Sequence, residues 1–208
     1  IKNEIKNFNI KIITKNEINN FLSTNFVDLS ILSISGFEAL NYFKYIIKNT
    51  NYLGLVNKET VVSAGHLFKN LLKKNKVIIY PLDSEHYSLN SFFTKKKIEE
   101  YSSIFLTASG GPFLFKNSKY ATIKSAAKHP NWKMGFKNSV DSATLANKCL
   151  ELFEAHYLFN IPFNKIDIVI HPESYVHSII ELKNWTTILN SFYPDMFIPI
   201  FNFLNQSN

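Results

Sequence analysis

The stretch IIYPLDSEHYSL, residues 78–89, marks a change of character in the chain. Ile78, Ile79, Tyr80 and Leu82 make an apolar run of strand length, ending at Pro81 and the polar residues beyond it. Two carboxylates, Asp83 and Glu85, follow at once. In an extended chain residues i and i+2 point to the same side, so both acids are expected on one face. Like charges side by side raise each other's pKa unless a cation or protons neutralise them. Two readings fit these letters. One is a solvated strand end leading into a helix capped by Asp83 or Ser84. The other is a divalent-metal site. The stretch alone leaves both open.

Upstream, short apolar runs alternate with longer amphipathic ones. IKIIT (10–14), FVDLSILSI (26–34), NYLGLV (51–56) and KVIIYPL (76–82) are predicted as strands. NEINNFLST (16–24), GFEALNYFKYIIKN (36–49) and NKETVVSAGHLFKNLLKK (57–74) are predicted as helices. This alternation is the pattern of a parallel sheet with helices packed on it. Ligands of such sheets bind beyond the carboxyl ends of the strands, where Asn57, Lys58, Asp83 and Glu85 fall.

Downstream the rhythm differs. TKKKIEEY (94–101) is predicted as a polar helix, and SSIFLTASGGPF (102–113) as a strand running into two glycines. KYATIKSAAKHPNWKMG (119–135) reads as a helix followed by a Pro-broken aromatic loop. SVDSATLANKCLELFEAHYLF (139–159) reads as one long helix. IDIVI, SYVHSIIEL and TTILNSF are strands of a second sheet, closed by PDMFIPIFNFL. A domain boundary is therefore expected near Asp83, with residues 1–83 on one side and 84–208 on the other.

The composition narrows the classes. With 208 residues, 46% of them hydrophobic and 15% aromatic, the chain is globular rather than disordered. No apolar run approaches the roughly 20 residues needed to cross a bilayer, and the start carries neither a signal core nor a transit-peptide pattern. A single cysteine, Cys149, rules out an internal disulfide and a thiolate zinc site. The net charge of +7 comes entirely from lysine, with no arginine anywhere. A surface built to grip nucleic acid would use the planar fork of arginine, so no nucleic-acid partner is expected.

Several constellations remain. In SGGPF (109–113) the glycines let backbone amides approach an anion and Ser109 adds a hydroxyl, although a tight turn explains the same letters. On the long helix Thr144, Asn147, Lys148 and Glu151 share a face, with Val140, Ala143, Ala146, Leu150 and Phe153 expected to supply the buried side. That polar face is either a solvated surface with a Lys148–Glu151 pair, or a phosphate site of Ser142, Asn147 and Lys148 with Glu151 as a third carboxylate. His129 and Trp132 lie in a polar, glycine-ended loop of the kind that closes over ligands. His171 and His177 read as core or surface residues, and Cys149 as a small buried one.

NKETVVSAG, PLDSEH, TASGGPF, HPNWKMG, SVDSATLANKCLE, HPESYVHS and YPDMFIPI occur in the order and approximate spacing of one enzyme family, preceded by ISGFEAL. From about Val27 onward the chain resembles 1-deoxy-D-xylulose 5-phosphate reductoisomerase, an NADPH- and metal-dependent enzyme of non-mevalonate isoprenoid biosynthesis. The resemblance implies an α/β fold: the later part of a Rossmann-like parallel-sheet domain, then an α+β catalytic domain. It implies Asp83, Glu85 and Glu151 as ligands of Mg²⁺ or Mn²⁺, a ligand set of hard oxygens. It places Lys58, Ser84, Glu85, Ser109, His129, Ser142, Asn147, Lys148 and Glu151 at the sugar-phosphate substrate, with Lys58, Glu85 and His129 in catalytic positions. Asn57, Glu59 and Gly135 match positions that meet NADPH, and Trp132 and Met134 fall in the family's active-site loop. The implied reaction is rearrangement of 1-deoxy-D-xylulose 5-phosphate and reduction to 2-C-methyl-D-erythritol 4-phosphate. A homodimer paired through catalytic-domain strands is implied, in the cytoplasm or, as the alternative, a plastid stroma.

The sequence also departs from the family pattern. The family's Gly-rich dinucleotide turn has no counterpart ahead of Val27, its C-terminal helical domain has none before Asn208, and Cys149 stands where a glycine is usual. The expectation is a partial chain with weakened NADPH binding. The alternative is a non-catalytic remnant that keeps the fold and the metal site.

Overall fold

The computed structural model describes residues 10–93, 100–116, 119, 121–128 and 135–207. The chain order is α1 (Ile18–Thr24), β1 (Val27–Leu32), α2 (Leu40–Ile46), β2 (Thr50–Leu55), α3 (Lys58–Ala64), α4 (His66–Asn75) and β3 (Ile78–Pro81). There follow α5 (Ser84–Phe93), β4 (Tyr101–Ala108), α6 (Ile123–Ala126), α7 (Phe136–Ala143) and α8 (Ala146–Phe159). The chain closes with β5 (Ile166–Ile170), β6 (Val176–Leu182), β7 (Thr187–Ser191) and α9 (Phe197–Leu204). The architecture is α/β. No helix among the described residues is long and apolar enough to cross a membrane.

The first sheet is parallel, in the order β1-β2-β3, with Leu32 beside Leu55 and Leu55 beside Pro81. Its three strands thus end level, and that rim carries Asn57 and Asp83. Leu53 and Leu55 turn to one face and meet Phe43, Ile47, Val61 and Phe68, all buried. Each such side chain contributes about 1.5–3 kcal/mol by leaving water. Gly54 turns to the other face, where α9 lies against it. A Cβ there would stand 2.8 Å from Leu82 Cδ1 and 2.9 Å from Phe203 Cε1. The second sheet runs β5-β4-β6-β7, with β4 and β5 parallel and the remaining pairs antiparallel. Its core joins Ile104, Leu106 and Ile180 to Leu89, Ala155 and Phe159. Helix α8 serves both cores: Tyr157 packs on the first, Ala155 and Phe159 belong to the second, and Leu158 touches each.

Several expectations need correction. Residues 10–14 are not a strand; Ile10 and Ile12 are 53% and 54% exposed, with no sheet neighbour to reward their β-branched shape. The helix expected over 57–74 is broken at Gly65, whose φ of +47° interrupts the helical backbone. The long helix expected over 139–159 is two, because Leu145 takes a left-handed conformation at φ +60°. The segment PDMFIPIFNFL, expected to close the second sheet, forms helix α9 over Phe197–Leu204, and its Phe203 lies against Gly54 of the first sheet. The helix of 94–101 falls mostly outside the described residues, as do His129, Trp132 and Met134.

The expected burial of the long helix is reversed. Phe153 is 43% exposed and Ala146 is exposed, whereas Lys148, Glu151 and Glu154 are buried. Cys149 is exposed rather than buried, because it lies beside the polar stripe that turns inward. The extended geometry expected for Asp83 and Glu85 is also absent. Glu85 sits in the first turn of α5, and Asp83 precedes that helix.

Candidate active site

Asp83 ends the strand segment and caps the next helix. Its Oδ1 accepts from the backbone N–H groups of Glu85 at 3.1 Å and His86 at 3.4 Å. These are donors that an α-helix leaves unpaired at its start. The helix cap is therefore present, but the strand end is not solvated, the Asp83 side chain being 11% exposed, and the cap brings the acids together by a different route. The first turn of α5 carries Glu85 around to the side of Asp83 that faces α8. Glu151 comes from α8, and one oxygen from each of the three carboxylates lies within 4.8 Å of the others.

Two lysines bridge these carboxylates. Lys58, at the start of α3, donates to Asp83 Oδ2 and, at 3.0 Å, to Glu151 Oε1. Lys148 donates to Glu85 Oε1 at 2.9 Å and to Glu151 Oε2. Asn147 Nδ2 donates to Glu151 Oε1, and Ser84 Oγ to Glu85 Oε2 at 2.6 Å. Burial weakens both ammonium groups, but the surrounding carboxylates outweigh it and raise their pKa values. For Asp83, burial pushes upward, yet Lys58 and His86 hold it well below the ordinary carboxylate range. Glu85 goes the other way. Burial and the neighbouring Glu151 charge push it to about 7.

Beneath the triad lie two ionisable groups that the sequence reading missed. His86 is fully buried, with Nδ1 2.9 Å from Asp83 Oδ1 and Nε2 2.9 Å from the main-chain oxygen of Glu151. Burial lowers its pKa, but Glu154 and Asp83 raise it to about 9. Glu154 is also fully buried, and burial lifts it to about 7. The spacing of Lys148, Glu151 and Glu154, three residues apart on one helix, was the available signal.

The carboxylates and lysines open onto a cavity of about 240 Å³. Lys58, Asp83, Ser84, Glu85, Ser109, Ser142, Asn147, Lys148 and Glu151 all line it. His177 and Ser174, unassigned from sequence, line it as well. His177 Nε2 lies 3.1 Å from the carbonyl of Phe192, against whose ring it stacks. Gly110 and Gly111 both have positive φ. A Cβ on Gly111 would meet Ser142 O at 2.9 Å and Ala143 Cα at 3.0 Å, so this glycine is needed for contact with the end of α7. The Gly-rich turn thereby sets Ser109 and Ser142 on the same cavity wall.

A smaller adjoining hollow is lined by Asn57, Glu59, Ser33, Ser35 and Lys137. Asn57 caps α3, accepting from Thr60 N–H at 2.7 Å, while its Nδ2 donates to Ile34 O and Gly36 O. The residues after β1 are thereby tied to the end of β2. Glu59 pairs with Lys137 at 3.0 Å. Partial burial opposes ionisation, yet Lys137 keeps its pKa below the usual value. Gly135 precedes α7 and lines neither cavity. His129 lies outside the described residues.

Residues 79–159 match the family described as the 1-deoxy-D-xylulose 5-phosphate reductoisomerase C-terminal domain. The reductoisomerase of Pelagibacter ubique is 39% identical over 203 residues, which are 95% of this chain and 52% of that protein. That of Ehrlichia canis is 45% identical over 186 residues, 88% of this chain and 48% of that protein. The chain is similar to the matching half of these reductoisomerases. It spans about half the length of the curated relatives it matches. A reductoisomerase crystal structure in complex with NADPH, fosmidomycin and magnesium aligns with all of this chain and 55% of its own, at a TM-score of 0.86 and 33% identity. The Zymomonas mobilis reductoisomerase in complex with NADPH aligns with 93% of this chain and 50% of its own, at 0.81 and 32%.

Proposed function

We propose that this chain carries the metal and substrate site of a 1-deoxy-D-xylulose 5-phosphate reductoisomerase, acting in NADPH-dependent formation of 2-C-methyl-D-erythritol 4-phosphate. The observation that carries this reading is the convergence of Asp83, Glu85 and Glu151 within 4.8 Å at the wall of a cavity also lined by Ser109, Ser142, Asn147 and Lys148. The donor set fits a hard divalent cation: all three candidate ligands are carboxylates, and burial together with the neighbouring Glu151 charge raises the pKa of Glu85 to about 7, a repulsion that a cation would relieve. Asp83, Glu85 and Glu151 would hold Mg²⁺ or Mn²⁺. Bound there, the cation would supply Lewis acidity at the oxygens of the substrate.

The protein's own groups divide the rest of the work. Ser109, Ser142, Asn147 and Lys148 offer hydroxyl, amide and ammonium donors for the phosphate, fixing the substrate away from the reacting carbons. Lys58 and Glu85 stand at the reacting end, Ser84 orients Glu85, and His129 is assigned to the substrate from its motif. Asn57, Glu59 and Gly135 are assigned to NADPH, the hydride source; the hollow beside Asn57 and Glu59 adjoins Lys58, which supports that order of sites. In this reading residues 1–83 are the later part of the nucleotide domain and 84–208 the catalytic domain.

The same proposal includes a cytoplasmic homodimer. Strand β7 is at the edge of the second sheet, and Leu189 on it is 59% exposed, with Tyr193 close behind at 64%. Such an apolar edge is suited to pairing with a second copy. Light scattering should give twice the mass of the chain, and a monomer at all concentrations would remove this part.

The central test is titration with Mn²⁺, followed by electron paramagnetic resonance of the free ion, with and without a phosphonate substrate mimic. Saturable binding that tightens with the mimic is expected. Absence of both would overturn the reading. Binding of both without turnover, when NADPH and substrate are supplied, would favour the non-catalytic alternative.

A further inference from the structure

The cavity that holds the three carboxylates and the smaller hollow beside Asn57 and Glu59 share a wall. Among the described residues Val56, Lys58, Asn138 and Asn147 line both. Val56 is apolar. Lys58 has its ammonium committed to Asp83 and Glu151, and the Asn147 amide donates to Glu151. Asn138 differs from these: its carboxamide has no hydrogen-bond partner among the described residues. Its place follows from α7. Asn138 lies in the first turn of that helix, four residues before Ser142, so the two share a helix face with about 5–6 Å between their Cβ atoms. Ser142 lines the larger cavity and not the smaller, whereas Lys137, next to Asn138, lines the smaller and not the larger. Asn138 stands where the two meet.

We infer that Asn138 is a contact residue for the hydroxyl-bearing carbon chain of the substrate, holding it at the junction so that it faces the hollow assigned to the cofactor. The inference deepens the function proposed above and rests on it. Donors gathered around a phosphate fix one end of a ligand and leave rotation about that end open. A second polar contact one helical turn away removes that freedom. The chemistry suits a hydroxyl, which both donates and accepts. A carboxamide offers two N–H donors and an acceptor oxygen, whereas Lys58 and Lys148 can only donate. Engaging this amide breaks no hydrogen bond to another described residue.

The experiment is calorimetric titration with 1-deoxy-D-xylulose 5-phosphate in the presence of Mn²⁺, with inorganic phosphate as a competitor. It compares the unaltered protein with Asn138→Ala, Asn138→Leu and Ser142→Ala. Both changes at Asn138 should fold, because the position is exposed and alanine and leucine favour a helix more than asparagine does. Each is expected to weaken the sugar phosphate about three- to tenfold, as for one neutral hydrogen bond lost. Inorganic phosphate, which lacks the carbon chain, should compete as it does in the unaltered protein. Ser142→Ala should weaken both ligands. Asn138→Leu fills the space of the amide without its hydrogen bonds, so parental affinity in that variant would overturn the inference. Equal weakening of phosphate and sugar phosphate would overturn it too, by showing a displaced α7 instead of a lost contact. Unchanged sugar-phosphate affinity in Asn138→Ala, while Ser142→Ala loses the ligand, removes this inference and leaves the site reading standing. If the unaltered protein binds neither ligand, the site reading falls and this inference with it.

Discussion

Lys58 Nζ lies 3.0 Å from Glu151 Oε1, although 93 residues separate them in the chain. One belongs to the helix after β2 of the parallel sheet, the other to α8, which packs between the two cores. Both residues line the cavity, and Lys58 also donates to Asp83 at the end of the neighbouring strand. Elements that share no strand are therefore locked by one ammonium group. Ion pairs to Lys58 and Lys148 thus join candidate ligands that come from different elements.

Glu151→Gln tests the candidate metal centre directly. The substitution retains volume and the acceptor carbonyl but removes the charge that faces both lysines. Mn²⁺ affinity should fall by at least about 100-fold, the upper end for residues that only orient ligands. Asn147→Ala removes a donor to the same carboxylate and keeps the charge, so it should cost much less. Equal losses in the two variants would show that the carboxylate is not a ligand.

The parallel sheet was legible because its strands, Leu29 to Leu32, Leu53 to Leu55 and Ile78 to Pro81, are short, mostly apolar runs bounded by polar turns, the central one being the most buried. Helix α8 was misread for the opposite reason. A stripe of Asn147, Lys148 and Glu151 ordinarily faces water, and here it is the inward face, since each charge finds an opposite one on another element. Pairing across 63 or 93 residues leaves no local trace. Leu145 gave no warning of a left-handed break, because leucine is a helix former by propensity. The roles of the three ligand candidates came from motif order; Glu154 was hinted at by its spacing from Lys148 and Glu151, while the partners of His86 could be seen only once the helices were in place.

Gly111→Ala should be damaging where Gly135→Ala is not. At Gly111 an alanine would have to adopt φ +68° and put Cβ against the backbone of Ser142 and Ala143. Strain of this kind costs on the order of 1–3 kcal/mol. It would also push the end of α7, and Ser142 with it, away from Ser109. Gly135 has φ −61° and open space around its Cβ position. Chemical denaturation should therefore separate the two variants clearly, and the first should also weaken a phosphonate mimic.

The Glu59–Lys137 pair should give a small, pH-dependent contribution to stability. Lys137 holds the folded-state pKa of Glu59 below the ordinary value of 4.5. A carboxylate with a depressed folded pKa stabilises the fold above its unfolded pKa, and that contribution is lost as pH falls through the folded value. Lys137→Gln should thus be less stable than the parent at pH 6, by less than about 1 kcal/mol for a pair whose lysine is half exposed. The difference should shrink by pH 3. A constant difference between the two pH values would point to lost packing instead.

Lys148→Met should expose the link between stability and the cation. Lys148 is buried and lies between Glu85 and Glu151, so its loss leaves two carboxylates facing each other across the cavity with less positive charge between them. Removing one partner of a buried ion pair typically costs about 3–5 kcal/mol, and Lys58, still bonded to Glu151, would limit the loss to the lower end. A divalent cation bound by Asp83, Glu85 and Glu151 would replace that charge. Mn²⁺ should therefore raise the unfolding midpoint of Lys148→Met by more than it raises that of the parent, since ligand binding to the folded state alone stabilises it in proportion to occupancy. The phosphonate mimic should show the reverse order, because Lys148 is also assigned to the phosphate. Thermal unfolding of both proteins across a Mn²⁺ series, with and without the mimic, separates the two roles. If Mn²⁺ stabilises the parent and leaves the variant where it was, Lys148 supports the cation site rather than substituting for it.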